Sequence, residues 1–445
     1  MTKLPEPTLS REVGDMNQPS MGPSRRYRYF VLGMLVLVYT MNFLDRQILG
    51  ILAGPIKKEL VLTDSQVGLM GGLAFAMVYS TLSIPIAWLA DRSSRRSIIA
   101  WSLGLWSAFT AICGFATSFW QLFAARVGVG IGEAGGVAPS YSILSDYFPK
   151  EQRARALSIY SLGIPLGSGA GLLFGGLIAA HLDWRYAFMI VGAAGLVLAP
   201  LLRATVKDPP RGGWTAATAT APAAAAPAIK APPFRVVLGT VARKKTFWLM
   251  AFGAAFSSMC GYGVAFWLPS YFQRSMDLSL ADTSWYLGAI TFFGGCLGII
   301  GGGMVADKLG ARSKSAYPRI PAIAFLLALP CFLVALNTSS LSILFPILLI
   351  PTALNLVWLG PILTAVQHLV PAQMRTTASA MFLLINNLLG IAVGYYYFGA
   401  MSDALLPTYG ADSLRYALCT GAAFYAVAAI LFLAASKTIK KDWVE

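Results

Sequence analysis

Asp45 and Arg46 stand side by side deep within an apolar run that extends from Tyr29 to Pro55. A helix rises about 1.5 Å per residue, so a bilayer-crossing helix that starts here carries both near its middle. Charge at that depth costs about 2.5–3.5 kcal/mol or more, which marks an intramembrane ion as a functional group. A second pair, Arg126 and Glu133, lies inside another apolar run. At i and i+7 they share one helix face. Opposed helix directions bring them to nearly the level of the first pair. Arginine stays charged at every physiological pH, so the carboxyls are the groups that can carry a proton. Asp45 and Glu133 are therefore the expected proton-coupling pair. Arg46, a planar donor fork suited to phosphate or carboxylate, is expected to bind an anionic head, with Arg126 and Asn42 beside it. The competing reading is a static ion network. Buried ion pairs stabilise poorly compared with apolar packing, which weighs against it.

The elements that must hold these residues follow from composition. The 445 residues are 57% hydrophobic and 12% charged, against about 25% charge in soluble domains. Long apolar segments recur from end to end, each near the roughly 20 residues that span a bilayer. The alternating ten-residue strands of a membrane barrel are absent. The net charge of +15 is no nucleic-acid signal, because most basic residues cluster in alternate loops. Examples are Arg92, Arg95 and Arg96, then Lys150, Arg153 and Arg155, then Lys308, Arg312 and Lys314, then Arg375. The positive-inside rule puts these loops and both termini in the cytoplasm of an integral inner-membrane protein. The opposite loops hold little basic charge, chiefly Lys57, Lys58 and Arg274.

Enzyme chemistry finds no equipment here. The five cysteines fall in apolar spans without metal or redox spacing, the two histidines are isolated, and no nucleotide-binding loop occurs. No cofactor or metal is expected. A substrate-sensing receptor would be expected to carry a long cytoplasmic extension.

Twelve spans can be counted, split into two sets of six by an Ala/Thr/Pro-rich stretch after Trp214. The expected organisation is a disordered tail over 1–27, a bundle over 28–204, a linker over 205–245, a second bundle over 246–436 and a tail over 437–445. The halves repeat in order. Asp91-Arg92 corresponds to Asp307-Lys308, Pro139 to Pro361, the run from Pro149 to Arg153 to that from Pro371 to Arg375, and Arg185-Tyr186-Ala187 to Arg415-Tyr416-Ala417. Duplicated six-helix units typify secondary transporters that rock two halves about a midplane site. On this register Asp45, Arg46 and Glu133 correspond to Gly261, Tyr262 and Asn355. Charge chemistry is thus confined to the first half. Tyr262, Trp267, Trp358, Asn386 and Asn387 are the second half's expected contributions to a substrate cavity, with Tyr395 near them.

The loop Ala87-Trp-Leu-Ala-Asp91-Arg92-Ser-Ser-Arg95-Arg96 resembles the loop signature of the major facilitator superfamily, with Ala87 and Ser94 where the signature has glycine. Its second copy, Gly303-Met-Val-Ala-Asp307-Lys308-Leu-Gly310-Ala-Arg312, matches better. The resemblance implies an all-α membrane fold of twelve transmembrane helices in two pseudo-symmetric six-helix bundles. It also implies a cytoplasmic gate in which Asp91 locks against the start of span eleven and Asp307 against that of span five. Arg92, Arg95, Arg153, Lys308, Arg312 and Arg375 serve that gate. In this superfamily span five faces the other half, which makes the stripe Gly163, Gly167, Gly171 and Gly175 the expected sliding contact.

A narrower resemblance rests on Asn42-Phe-Leu-Asp45-Arg46, on Gly128-Val-Gly-Ile-Gly132-Glu133-Ala134, and on the run from Gln152 through Ile164-Pro165-Leu-Gly167-Ser168-Gly169. These are similar to the Spinster branch, whose members move lysophospholipids or sphingosine-1-phosphate. The resemblance implies a monomeric, proton-coupled, alternating-access transporter of an amphiphilic, lysophospholipid-like anion. Its partners are that lipid and protons, with no nucleic acid. An Asn-x-x-Asp-Arg first helix also occurs in symporters of sugar acids, so a hydrophilic organic anion is the alternative substrate.

Overall fold

The structure is a computed structural model, and it describes residues 23–90, 92–210, 233–310 and 313–444. Among the described residues there are helices and no strands. In hydrocarbon a backbone must satisfy its own hydrogen bonds, and a helix does so within one segment.

In the first half α1 spans Arg25–Leu60. The second crossing is α2 (Asp64–Gly71) followed by α3 (Leu73–Ala90). Then come α4 (Arg95–Cys113), α5 (Phe119–Glu133) with α6 (Val137–Tyr147), α7 (Lys150–Ser161) with α8 (Gly163–His181), and α9 (Trp184–Thr205). A short α10 (Phe234–Ala242) precedes the second half. That half runs α11 (Lys245–Ser275), α12 (Leu280–Gly310), α13 (Ala316–Leu336) and α14 (Leu341–Asn355) with α15 (Leu359–Gln367). It ends with α16 (Arg375–Asn387), a widened π turn (Leu388–Val393), α17 (Gly394–Tyr409), α18 (Ser413–Thr420) and α19 (Ala422–Asp442).

Ten stretches are long and apolar enough to cross a membrane by length and composition. The last of them, Thr377–Asp442, contains two crossings, joined at the 3-10 turn Gly410–Asp412. The pair α5–α6 completes the twelve. It breaks immediately after Glu133, and its counterpart α14–α15 breaks immediately after Asn355. Both halves thus interrupt the same helix where they place a polar side chain.

Three boundaries differ from the sequence expectation. α1 begins at Arg25, capped by the Ser24 hydroxyl that accepts from the Tyr27 amide, so residues 25–27 are helical. α10 puts a helix inside the expected linker. α19 carries Lys437, Lys440 and Lys441, extending the last crossing into the expected tail. Residues 1–22 of the expected N-terminal tail and 211–232 of the expected linker lie outside the described residues.

The two halves meet along α1–α11, α2–α17 and α8–α12. Close backbone approach sets these seams. A Cβ on Gly72 would press on the carbonyls of Ile391 and Ala392, and one on Gly169 on that of Gly288. The α8–α12 seam proceeds from Gly176–Ser284 through Gly169–Gly288 to Pro165–Gly295, and there it ends. Gly301 and Gly303, further along α12, face open space. The close contacts of this seam thus lie at the face opposite the one where α1 begins and α19 ends, and the seam opens toward the latter face.

That closed face is fastened by charge. The Asp64 carboxylate accepts from both Arg274 Nη1 and Nη2 at 2.7 Å, from Lys57 Nζ at 2.6 Å and from the Ser402 hydroxyl at 2.8 Å. Asp403 in return accepts from the Asp64 and Ser65 amides at 3.1 and 2.7 Å, capping α2. Among the described residues, Arg274–Asp64 is the ion pair that crosses between the halves.

Candidate functional site

The four intramembrane charges converge as two crossed pairs. Arg46 Nε donates to Glu133 Oε2 at 2.8 Å, and Arg126 Nη1 donates to Asp45 Oδ2 at 3.1 Å. Helix periodicity explains the crossing. Consecutive residues on α1 point about 100° apart, so Asp45 and Arg46 must address different neighbours. Asp45 also accepts from the Thr110 hydroxyl of α4 at 2.6 Å. Arg46 lies against an aromatic wall, its guanidinium carbon 4.6 Å from the Tyr79 ring centre, 4.8 Å from Phe75 and 5.1 Å from Phe43. Ring faces attract cations, so this wall helps hold the charge in place. Among the described residues Arg46 Nη2 and Glu133 Oε1 are buried without a hydrogen-bond partner.

Exposure separates the four. The Arg46 side chain is 10% exposed, while those of Asp45, Glu133 and Arg126 are at 1%, 0% and 2%. Arg46 lines a cavity of about 180 Å³ between the halves, opposite Tyr262, Ser258, Asn386, Asn387 and Trp358. Arg126 lines, with Arg46, Phe43 and Tyr395, a water-sized space of about 10 Å³. A second cavity of about 120 Å³ adjoins the first and shares Phe43, Ile164, Tyr262, Asn355 and Leu356 with it. Its further walls are mainly apolar, among them Pro165, Leu172, Leu268, Leu287 and Phe332, with Gln47, Ser168, Thr291 and Thr352 between them. The compartment of Arg46, Ser258, Asn386 and Asn387, polar in those side chains, thus adjoins one with no charged residue in its lining, and apolar atoms predominate in both.

A family model for the Major Facilitator Superfamily matches residues 35–395. The chain belongs to this superfamily. Within it the chain is of the Spinster type. It is 34% identical to an MFS-type efflux pump of Mycolicibacterium smegmatis, over 95% of this chain and 96% of that protein. It is 29% identical to Protein spinster of Drosophila melanogaster, over 86% of this chain and 63% of the fly protein. It superposes with a TM-score of 0.84 and 30% identity on the crystal structure of a bacterial homolog of the human lysosomal transporter Spinster, in an inward-facing and unoccupied conformation. That match covers 95% of this chain and 100% of the other. The superfamily consists of transporters, a non-enzymatic class.

Several expected residues sit elsewhere than at the cavity of this major facilitator protein. Trp267 is fully buried in packing, and its indole N–H donates to the Tyr395 carbonyl at 2.8 Å. Asn42 is buried off the cavity, with neither amide atom partnered among the described residues. The glycine stripe of α8 faces its own half. Cβ atoms at Gly163, Gly167, Gly171 and Gly175 would strike Tyr39, Thr40, Leu44 and Ile48 of α1. The contact with the other half uses Gly169 and Gly176 on the adjacent face, because the stripe's closest approach serves the tightly packed α1–α8 pair.

Of the expected gate, Asp91 and Arg312 lie outside the described residues, as does the side chain of Asp307. Arg92 folds back on its own helix, 3.9 Å from the Trp88 ring centre. Arg95 is buried within the first half, bonded to Asp146, Asp208, Ser142 and the Pro209 carbonyl. It ties α4 and α6 to the segment after α9 and does not reach the second half. Arg153 donates to the Phe148 carbonyl. Lys308 is exposed near the end of α12, and Arg375, at the start of α16, has its Nε buried without a partner among the described residues.

Sequence reasoning missed Thr110, the aromatic wall of Phe75 and Tyr79, and the Asp64 fastening. The fastening left a trace, since Lys57 and Arg274 are two of the few basic residues in otherwise charge-poor loops. Thr110 and the aromatics left none, since such residues are ordinary in membrane helices.

Proposed function

We propose that this transporter moves an amphiphilic organic anion of the lysophospholipid kind, coupled to protons, by alternating access in the inner membrane. The observation that carries the reading is the joined pair of compartments. An anionic head would pair with Arg46 among Tyr262, Asn386 and Asn387, and a hydrocarbon tail would fill the apolar chamber. An anion that draws Arg46 away leaves Glu133 without its partner, and an unpaired buried carboxylate takes up a proton readily. Binding and protonation are thereby linked. The open face is cytoplasmic on the positive-inside rule, which agrees with the similarity to an inward-facing Spinster homolog. The efflux-pump relative is compatible with an amphiphile as cargo.

A hydrophilic organic anion is a second reading, favoured by Ser258, Asn386 and Asn387 on the second-half wall of the polar compartment. Proteoliposomes under a set pH gradient test both. Uptake or release of an anionic lysophospholipid that follows the gradient is the expected result. Transport of sugar acids alone, with lysophospholipids inert, overturns it in favour of the second reading.

A further inference from the structure

The Thr110 hydroxyl stands between two acceptors. Its Oγ1 lies 2.6 Å from Asp45 Oδ1 and 2.9 Å from the carbonyl oxygen of Trp106, one turn back on α4. A hydroxyl has a single hydrogen and can donate well to one of the two. Asp45 Oδ2, for its part, faces Arg126 Nη1 at 3.1 Å. A guanidinium only donates, so a proton on Oδ2 would find no acceptor there. A proton on Oδ1 would point at an oxygen that can accept it.

We infer that Thr110 is the positioning residue of the proton site, reversing its role between the two protonation states of Asp45. When Asp45 is ionised, Thr110 donates to Oδ1. When Oδ1 takes up a proton from water, that O–H donates to Thr110 Oγ1, and the Thr110 hydrogen turns to the Trp106 carbonyl. The added proton stays on Oδ1 and leaves again from it. Thr110 neither gains nor loses one. Every heavy atom keeps its place in both states, and Arg126 keeps its bond to Oδ2. The same site thus accepts both states of the carboxyl without repacking, which a protein interior resists.

The charged and titratable groups that face Asp45 are few. Arg126 and Glu133 approach from α5, Cys113 from α4, and Arg46 is its neighbour on α1. α8 brings Gly171 and Gly175 to this stretch of α1, and α11 brings Phe266 against Gly50. Thr110 is therefore the hydroxyl at hand for Oδ1 among the described residues.

The inference rests on the proposed proton coupling, with Asp45 as one of its two carboxyls beside Glu133, and the test separates the two. Purified full-length protein is titrated while infrared difference spectra record protonated-carboxyl bands. The same variants are assayed in proteoliposomes with a fluorescent-tailed lysophosphatidylglycerol. Asp45→Asn should remove one band and abolish the response to a pH gradient. Thr110→Val keeps the shape of the side chain without the hydroxyl. It should move the frequency of that band, since the carboxyl loses its acceptor. It should also shift the pH profile of transport by about one unit to higher pH, because a charge-assisted hydrogen bond to the ionised form is stronger than one to the neutral form. Thr110→Ser should restore both, and Thr110→Ala gives the same reading if the valine variant fails to fold. An unmoved band and a parent-like profile in Thr110→Val, with Asp45→Asn inactive toward the gradient, overturn the role of Thr110 alone. A parent-like gradient response in Asp45→Asn removes Asp45 as a coupling carboxyl and overturns the inference, and the same response in Glu133→Gln as well overturns the coupling proposal.

Discussion

At the scale of residues, one ion of four reaches the cavity, and that asymmetry assigns work. Among the described residues one terminal nitrogen of Arg46 has no hydrogen-bond partner while its Nε holds Glu133. Lysine at this position retains charge without the planar fork. Arg46→Lys is expected to weaken binding of an anionic lysophospholipid on the order of tenfold, and Arg46→Ala more, by titration on purified protein. Parent-like affinity in Arg46→Ala would remove Arg46 as the anion site. The carboxyls make a separate claim. Glu133→Gln and Asp45→Asn preserve shape and delete a titratable site. At least one should abolish transport driven by a pH gradient while leaving expression and counterflow exchange of substrate intact. Gradient-driven transport at parent rates in both would end the coupling assignment.

At the scale of elements, two seams carry testable consequences. The first is the fastening at the closed face, where one carboxylate, Asp64, gathers Lys57, Ser402 and both terminal nitrogens of Arg274. A hydrogen bond to a charged group contributes about 1.5–3 kcal/mol, and about 1.4 kcal/mol is a tenfold change in an equilibrium. Arg274→Gln is thus expected to raise the population open at this face by roughly tenfold or more. Spin labels at the exposed positions Leu182 and Tyr409 would register it as a longer-distance component, and an unchanged distribution would deny the fastening any gating role. The second seam is α1 against α8. A side chain at Gly167 would enter the space of the Thr40 carbonyl and Phe43. Overpacking of this kind costs about 1–3 kcal/mol, so Gly167→Val should lower the melting temperature in detergent. Gly303→Val, which meets open space, should leave it where it is.

At the scale of the whole molecule, the decisive feature is the adjacency of a compartment that holds a cation and a mainly apolar one that holds no charge, at the boundary between the halves. A tail that fills the apolar chamber gains roughly 0.8 kcal/mol per buried methylene. Affinity across an acyl-chain series at constant headgroup should climb steeply, up to the length the chamber holds, and then level off. A flat series would mean that the apolar chamber serves packing and that the cargo is polar throughout. Widening the chamber wall with Phe332→Ala should move the plateau to longer chains, a result no polar cargo would give.

Much of this architecture is legible in the amino-acid chain alone. Apolar runs near 20 residues dictate the crossings, basic loops dictate their alternation, and paired anchors such as Pro139 and Pro361 dictate two like halves. The depth of Asp45, Arg46, Arg126 and Glu133 also follows from the chain, since depth in a bilayer is counted residue by residue along one helix. Contacts between helices are of another kind. They depend on how far each helix is rotated and slid against its neighbours, and no local pattern encodes that. The depth of the four ions therefore said that they converge, and only packing decided that Arg46 takes Glu133 while Arg126 takes Asp45. Packing likewise turned the glycine stripe toward α1, withdrew Trp267 and Asn42 from the cavity, and added Thr110 from a third helix. It also made Asp64, by its sequence an ordinary acidic residue at a helix start, the meeting point of both halves.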